Sequence, residues 1–256
     1  MPKFFVEPKF IKENRVKIRG KEARHIATVL RLERGDMINV FDGTGREYAV
    51  LIESSSTSTV EGRVIQEKWP ERESSVEITL FQGLPKSSKM DLIVEKCTEL
   101  GVVRIVPVIT SRTVPELDPD KMEERRSRWE RIAREASKQS GRVRVPEIGS
   151  VISFREAFTK TELDLKLIPW ENERVSLRTA LKRCQVTVYP CRVGIFVGPE
   201  GGFTPEEIGY ARRNGAIPVS LGPRILRTET AGIVASAIVL YEFEPDTRRM
   251  EIGSDN

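Results

Sequence analysis

Between Ile195 and Arg227 the chain sets glycines, one carboxylate and two arginines at the ends of two apolar runs. Ile195-Phe196-Val197 stops at Gly198, and the loop GPEGGF brings Gly198, Pro199, Glu200, Gly201 and Gly202 together. Ile217 to Leu221 stops at Gly222-Pro223, with Arg224 and Arg227 just beyond. Short apolar runs bounded by turn residues read as buried strands. Glycine lets the backbone approach a ligand closely or take positive φ. Two strands that end in glycine loops, with a helix between them, make a ligand edge in an α/β sheet. One such turn is ordinary; the pair, with Glu200 and two arginines inside the loops, predicts a site. Other chemistries lack their residues. No lysine follows in the manner of a phosphate-binding P-loop, and no G-x-G-x-x-G is present. His25 is the only histidine, and Cys97, Cys184 and Cys191 show no zinc spacing, so no metal is expected. Cys97 falls on an apolar stripe, and Cys184 and Cys191 flank an irregular stretch with no base beside them. None is expected to be a nucleophile.

The elements that must position these loops are well signalled. Thr204 is a candidate N-cap, Pro205 takes the first helical position and Glu207 completes a capping box. Phe203 and Ile208 fall where a hydrophobic staple would lie, and Asn214-Gly215 supplies the stop. Upstream, strands are expected at Val76 to Gln82, Arg104 to Ile109 and Leu165 to Ile168. Helices are expected at Ser88 to Leu100, Asp120 to Ser140 and Ser176 to Arg183. Strand–helix alternation argues for a mostly parallel sheet. Ala231 to Tyr241 is apolar nearly all round, as suits a helix buried on more than one side, either within its domain or against a second copy. Residues 1–70 read as all-β with one short helix. Strands are expected at Val16 to Ile18, Met37 to Phe41, Glu47 to Glu53 and Val60 to Glu67. Lys21 to Leu30 is the helix, and Asp42-Gly43 is a hairpin signal. This suggests a small barrel. KWPERESS, residues 68–75, lacks periodicity and marks a linker, which gives domains 1–70 and 76–245.

At 256 residues, 39% hydrophobic and 31% charged, the chain is globular and long enough for one or two cores. No apolar run reaches membrane-spanning length. MPKFFVEPKF carries no cleavage signature, and few cysteines suit a reduced setting, so a cytoplasmic location is expected. The net charge of +4 is unevenly spread. Residues 1–34 hold ten Lys or Arg against four Glu, and residues 121–146 hold nine against four. Each segment alone suits a solvated face; together they suggest an anionic partner such as nucleic acid. The candidate contacts are Arg24, His25, Arg31, Arg112, Arg125, Arg128 and Arg142. For His25 a surface or packing role stands beside an RNA contact.

GPEGGFTPEEI followed by LGPRILRTETA resembles the RsmE family, the 16S ribosomal RNA uridine-N3 methyltransferases of the SPOUT superfamily. KSSKMDLIVEKCTELGV, RWERIAREASKQSGRVRVPEI and HIATVLRLERGDMINVFDGTGREY are similar to further blocks of that family, so the resemblance covers nearly the whole chain. Where the family often reads Ser-Glu-Arg-Ser, this chain has Thr110-Ser111-Arg112-Thr113; the acidic residue is missing and Arg112 is retained. The resemblance implies a PUA-like β-barrel domain followed by a SPOUT-type α/β domain with a C-terminal trefoil knot, an exception to the rule against knots. It also implies S-adenosylmethionine as cofactor, a homodimer, and a uridine in the decoding region of the small ribosomal subunit as substrate.

On that reading, three strand-end loops hold the cofactor. Their expected contacts are Leu167, Ile168 and Pro169; Val197, Gly198, Pro199, Glu200, Gly201 and Gly202; and Leu221, Gly222, Ile225, Leu226, Arg227 and Thr230. Glycines and backbone amides suit a neutral adenine edge and a ribose. Uridine N3 carries a proton at neutral pH, and its loss spreads negative charge onto O2 and O4. An arginine would stabilise that anion but cannot act as the base. Arg227 is the first candidate and Arg224 the second, with a phosphate contact or an ion pair to Glu229 as the ordinary alternative. Glu200 is expected either to accept the proton, to orient the methionine end of the cofactor, or only to order its loop. No cysteine suits methylation at C5. A ribose 2′-OH acceptor and a non-enzymatic RNA-binding assembly factor stay open.

Overall fold

The computed structural model describes residues 1–244 apart from 71, 87, 115–117, 160 and 185–188. Glu71 of the expected linker and the expected domain end at 245 lie outside the described residues. The chain divides into two units. The first comprises Met1–Glu73 and Arg134–Val145; the second comprises Ser74–Ala133 and the rest of the chain from Pro146.

The first unit is a six-stranded sheet. Its strands are β1 (Lys3–Phe5), β2 (Ile11–Lys12), β3 (Arg15–Arg19), β4 (Met37–Phe41), β5 (Glu47–Ser55) and β6 (Thr59–Lys68), in the order β1-β4-β5-β6-β3-β2. β1 pairs parallel with β4, and the other pairs are antiparallel. β1 has no alternation long enough to announce it in sequence. The expected helix at 21–30 is shorter and less regular: α1 spans Gly20–Arg24, and a π-helical turn covers His25–Val29. Ala23 and Ile26 are buried in the same core as Phe4, Val16, Ile38, Val50 and Val60.

The second unit is an all-parallel sheet. It uses β7 (Val76–Gly83), β8 (Arg104–Ile109), β9 (Glu147–Ile148), β10 (Ile152–Ser153), β11 (Leu165–Pro169), β12 (Cys191–Val197) and β13 (Ala216–Val219). The order is β10-β8-β7-β12-β11-β13, with β9 beside β8. Parallel strands buried on both faces carry apolar runs, and Ile78, Leu80, Ile105, Leu167, Ile195 and Phe196 are all essentially inaccessible. β13 ends at Val219, short of the expected Leu221, and lies at the sheet edge. Pro218 is tolerated there because an edge strand does not need every N–H. The helices are α2 (Lys89–Leu100), α3 (Pro119–Ser140), α4 (Glu156–Thr159), α5 (Leu177–Arg183), α6 (Pro205–Arg213) and α7 (Thr228–Phe243). α7 packs on α2, β7 and β12. α3 gives its residues up to Ala133 to the second unit and those from Arg134 to the first.

Candidate functional site

Three loops meet at the carboxyl ends of β11, β12 and β13, where an open α/β sheet places its ligands. They enclose a cavity of about 570 Å³ whose walls run from Pro169 to Glu171, from Val197 to Phe203 and from Ser220 to Thr228, with Lys89 and Ala231. Of the expected contacts, Pro169, Val197 to Gly202, Leu221, Gly222, Ile225, Leu226 and Arg227 line it. Leu167, Ile168 and Thr230 do not. Leu167 and Ile168 are buried strand residues; Ile168 packs in the core with Phe81 and Phe196.

The β12 loop is shaped by close backbone contact. Gly202 takes φ +68°, and a Cβ there would stand 3.2 Å from Oε1 of Glu171. A Cβ on Gly83, at the end of β7, would lie 2.6 Å from the nitrogen of Pro199. The Thr228 hydroxyl donates to the carbonyl of Gly198 at 2.6 Å and accepts from Gln82 Nε2 at 2.8 Å. That one hydroxyl ties the loop after β12 to the start of α7 and to β7. α6 follows with the expected capping box: Glu207 N donates to the Thr204 hydroxyl, and Thr204 N donates to Glu207 Oε2. The other carboxylate oxygen of Glu207 accepts from the backbone of Ser111 at 2.8 Å. Arg112 donates to the Gly201 carbonyl. Gly83, Gln82, Glu171, Thr228 and Lys89 were not singled out in sequence. Lys89 and Thr228 did have a signal, since they lie within the blocks KSSKMDLIVEKCTELGV and LGPRILRTETA.

Electrostatics separate the three candidate catalytic groups. Glu200 accepts from Lys89 Nζ at 2.7 Å and from the Lys86 amide at 3.1 Å. Partial burial pushes its carboxyl up, but the Lys89 hydrogen bond and the backbone amides outweigh this and hold it below the ordinary value. A carboxylate so held is a weak proton acceptor, and its bonds are those of a loop-ordering residue. Arg227 stands at the N-cap position of α7 on the cavity wall, without a side-chain capping bond, and has no ion pair among the described residues. The alternative pairing with Glu229 does not form; Glu229 lies 3.7 Å from Lys89 instead. Arg224 also lines the cavity, exposed and unpaired among the described residues. The cysteines remain protonated at neutral pH. Burial pushes the Cys97 thiol up to about 12, and burial raises Cys184 and Cys191 as well. Among the described residues no group of His, Cys, Asp or Glu could hold a metal ion.

The expected nucleic-acid residues fall on both units. In the first, Arg24, His25 and Arg31 are exposed. Arg142 is not available: its guanidinium is buried against Glu73, at 2.7 Å and 3.1 Å from one carboxylate oxygen. It holds the 134–145 segment to the β unit rather than facing a polyanion. In the second unit Arg125 is exposed, Arg128 is paired with Asp91, and Arg112 is anchored on the loop after β12.

A family model for an RNA methyltransferase domain matches residues 72–240, and one for an RNA methyltransferase PUA domain matches residues 18–65. Ribosomal RNA small subunit methyltransferase E of Bacillus subtilis is 33% identical over 230 residues, covering 89% of this chain and 90% of the relative. Its namesake in Synechocystis is 33% identical over 236 residues, with 91% and 75% covered. The crystal structure of the Neisseria gonorrhoeae enzyme of that name, bound to S-adenosyl methionine, superposes with a TM-score of 0.81 at 33% identity, covering 93% of this chain and 96% of that one. The chain belongs to the ribosomal RNA small subunit methyltransferase E family.

Proposed function

We propose that this chain transfers the methyl group of S-adenosylmethionine to N3 of a uridine in 16S ribosomal RNA of the small ribosomal subunit. The observation that carries this reading is the cavity at the β11–β12–β13 edge, with two arginines on its wall that form no ion pair among the described residues. The residues present fit the cofactor. The positive-φ Gly202 leaves a cradle beside Glu171 that a side chain would fill, and Gly198 lets the loop fold back closely on Gly202 and Phe203. Glu171 sets a carboxylate beside that cradle, which would attract the positive charge of a sulfonium. Trp170 on the same wall has a buried Nε1 with no partner among the described residues.

When bound, the cofactor supplies an electrophilic methyl whose carbon–sulfur bond breaks as the carbon–nitrogen bond forms. The chain's share is positioning and charge. Arg227 would stabilise the anion left when N3 loses its proton, with Arg224 on the same cavity wall as the second candidate. Glu200 and Lys89 keep the β12 loop in place. The raised cysteine thiols support N3 over C5 as the acceptor, since no thiolate is ready to add to the ring.

The same reading includes a dimer, a knot and a PUA-like barrel closing from the six strands. Tyr241, Ile238 and Leu92 leave apolar surface on α7 and α2 that a second copy would cover. The return of the chain from edge strand β13 to α7, packed over β7 and β12, supports a threaded C-terminus. Methylation of ribosomal RNA would place the protein in the cytoplasm.

Single-turnover methylation of small subunits at saturating cofactor tests the role of Arg227. An anion stabiliser acts in the transition state, so Arg227→Ala should lower kcat by about 10²–10³-fold and steepen the rise of rate with pH. An unchanged saturated rate with raised KM would return Arg227 to a phosphate anchor.

A further inference from the structure

The turn from His25 to Arg31 carries three features uncommon in a helix of its length. It closes as a π-helical turn, with the Leu30 amide bonded to the His25 carbonyl at 3.0 Å. It then ends with the Leu32 amide on the Ile26 carbonyl, which puts Arg31 in the left-handed region at φ +54°. That is the helix-terminating position where glycine is the ordinary residue. An arginine there is held at a conformational cost, and such costs collect at functional sites. Finally, Val29 is 65% exposed and Leu30 37% exposed, although Ile26 one turn earlier and Ala23 about two turns earlier are fully buried.

The surroundings of this apolar tip are cationic. Lys21, Arg24, Arg31 and Arg34 stand in the same stretch, and the side chains of Arg24 and Arg31 form no ion pair among the described residues. Of the nearby carboxylates, Glu22 is taken by Lys138 at 3.0 Å and Asp36 accepts from the Glu33 amide at 2.8 Å; Glu33 is the one left to solvent. Arginines flanking two exposed aliphatic side chains match a strand of nucleic acid whose phosphates and base faces are both accessible. They do not match a duplex. In A-form RNA the bases are stacked within the helix and the shallow groove offers hydroxyls, so Val29 and Leu30 would find nothing apolar to touch.

We propose that the 28–31 tip recognises unpaired RNA, with Val29 and Leu30 packed among splayed bases and Arg24 and Arg31 on the adjoining phosphates. This rests on the reading of the chain as an RNA methyltransferase and names the form of RNA that its first unit takes. The test measures affinity of the full-length protein, by fluorescence anisotropy, for a protein-free single-stranded oligonucleotide and for a fully paired RNA duplex of the same length. Val29→Ala/Leu30→Ala should lose about tenfold or more on the single strand, comparable to losing one stacked base contact, and nothing on the duplex. Arg31→Gly should unfold at a higher temperature than the wild type yet bind the single strand more weakly, with a flatter salt dependence. Equal losses on both RNAs would overturn the proposal, as would wild-type affinity for the single strand. A loss seen only with intact subunits, and not with protein-free RNA, would assign the tip to a ribosomal protein and overturn it too. Cofactor binding by wild type and variants is measured alongside. If the wild type binds cofactor and methylates subunits while these variants bind RNA normally, only this inference falls; if the wild type does neither, the underlying function falls.

Discussion

At the scale of single residues, what a charged side chain already touches decides what it is free to do. Glu73 accepts from the Arg142 guanidinium and from the amides of Val143 and Arg144. Burial pushes its carboxyl up, but the Arg142 hydrogen bonds and ion pair, with the amides, hold it below the ordinary value of 4.5. Because the folded value is lowered, the stability it contributes is present above the unfolded value and is lost as pH falls through the folded one. Glu73→Ala removes the carboxylate from beside a buried guanidinium and should cost about 3–5 kcal/mol in urea unfolding at neutral pH, with a shallower loss below pH 4.5 than the wild type shows. A neutral result would mean that this pair adds nothing net to stability. Thr228 is the counterpart in the second unit. Thr228→Val strands the Gly198 carbonyl and should cost about 1–3 kcal/mol, together with weaker binding of S-adenosylmethionine by calorimetry. Full cofactor affinity in a destabilised variant would show that the loop holds its shape without that bond.

At the scale of elements, α6 was legible because all its signals are local. Thr204, Pro205 and Glu207 lie within four positions, and the capping box forms as their types require. What was not legible joins residues distant in sequence. Gln82 meets Thr228 across 146 positions, Gly83 abuts Pro199, and Glu207 adds the Ser111 amide to its cap. That last bond gives the 110–114 loop, where the family's acidic residue is missing, an anchor from the other side. Glu207→Ala should therefore cost more than the ~1 kcal/mol of a lost cap, which a thermal melt against Thr204→Ala would reveal; equal costs would leave the Ser111 bond without weight. Arg142 was misread for a similar reason. Its neighbours in sequence are cationic, and only the fold brings Glu73 to it. The division of α3 at Ala133 was equally hidden, since its helical periodicity continues unbroken through that point.

At the scale of the whole molecule, the alternation of strand and helix announced a parallel sheet, and the two glycine loops announced the edge of it that carries the cavity. The order of the strands could not be read, because pairing depends on crossovers that leave no periodic mark. Assembly belongs to this scale as well. With Tyr241 87% exposed on a helix otherwise largely buried, light scattering at micromolar concentration should report twice the 29.0 kDa chain mass. A species of chain mass would leave α7 as an internal helix only. The central claim concerns the acceptor atom, and one measurement meets it directly. Small subunits lacking the modification are incubated with the protein and methyl-labelled S-adenosylmethionine, and the 16S RNA is then digested to nucleosides and resolved by mass spectrometry. The account predicts that the label appears in 3-methyluridine at one position. Label on a ribose 2′-oxygen, on C5, or on no nucleoside at all would contradict it.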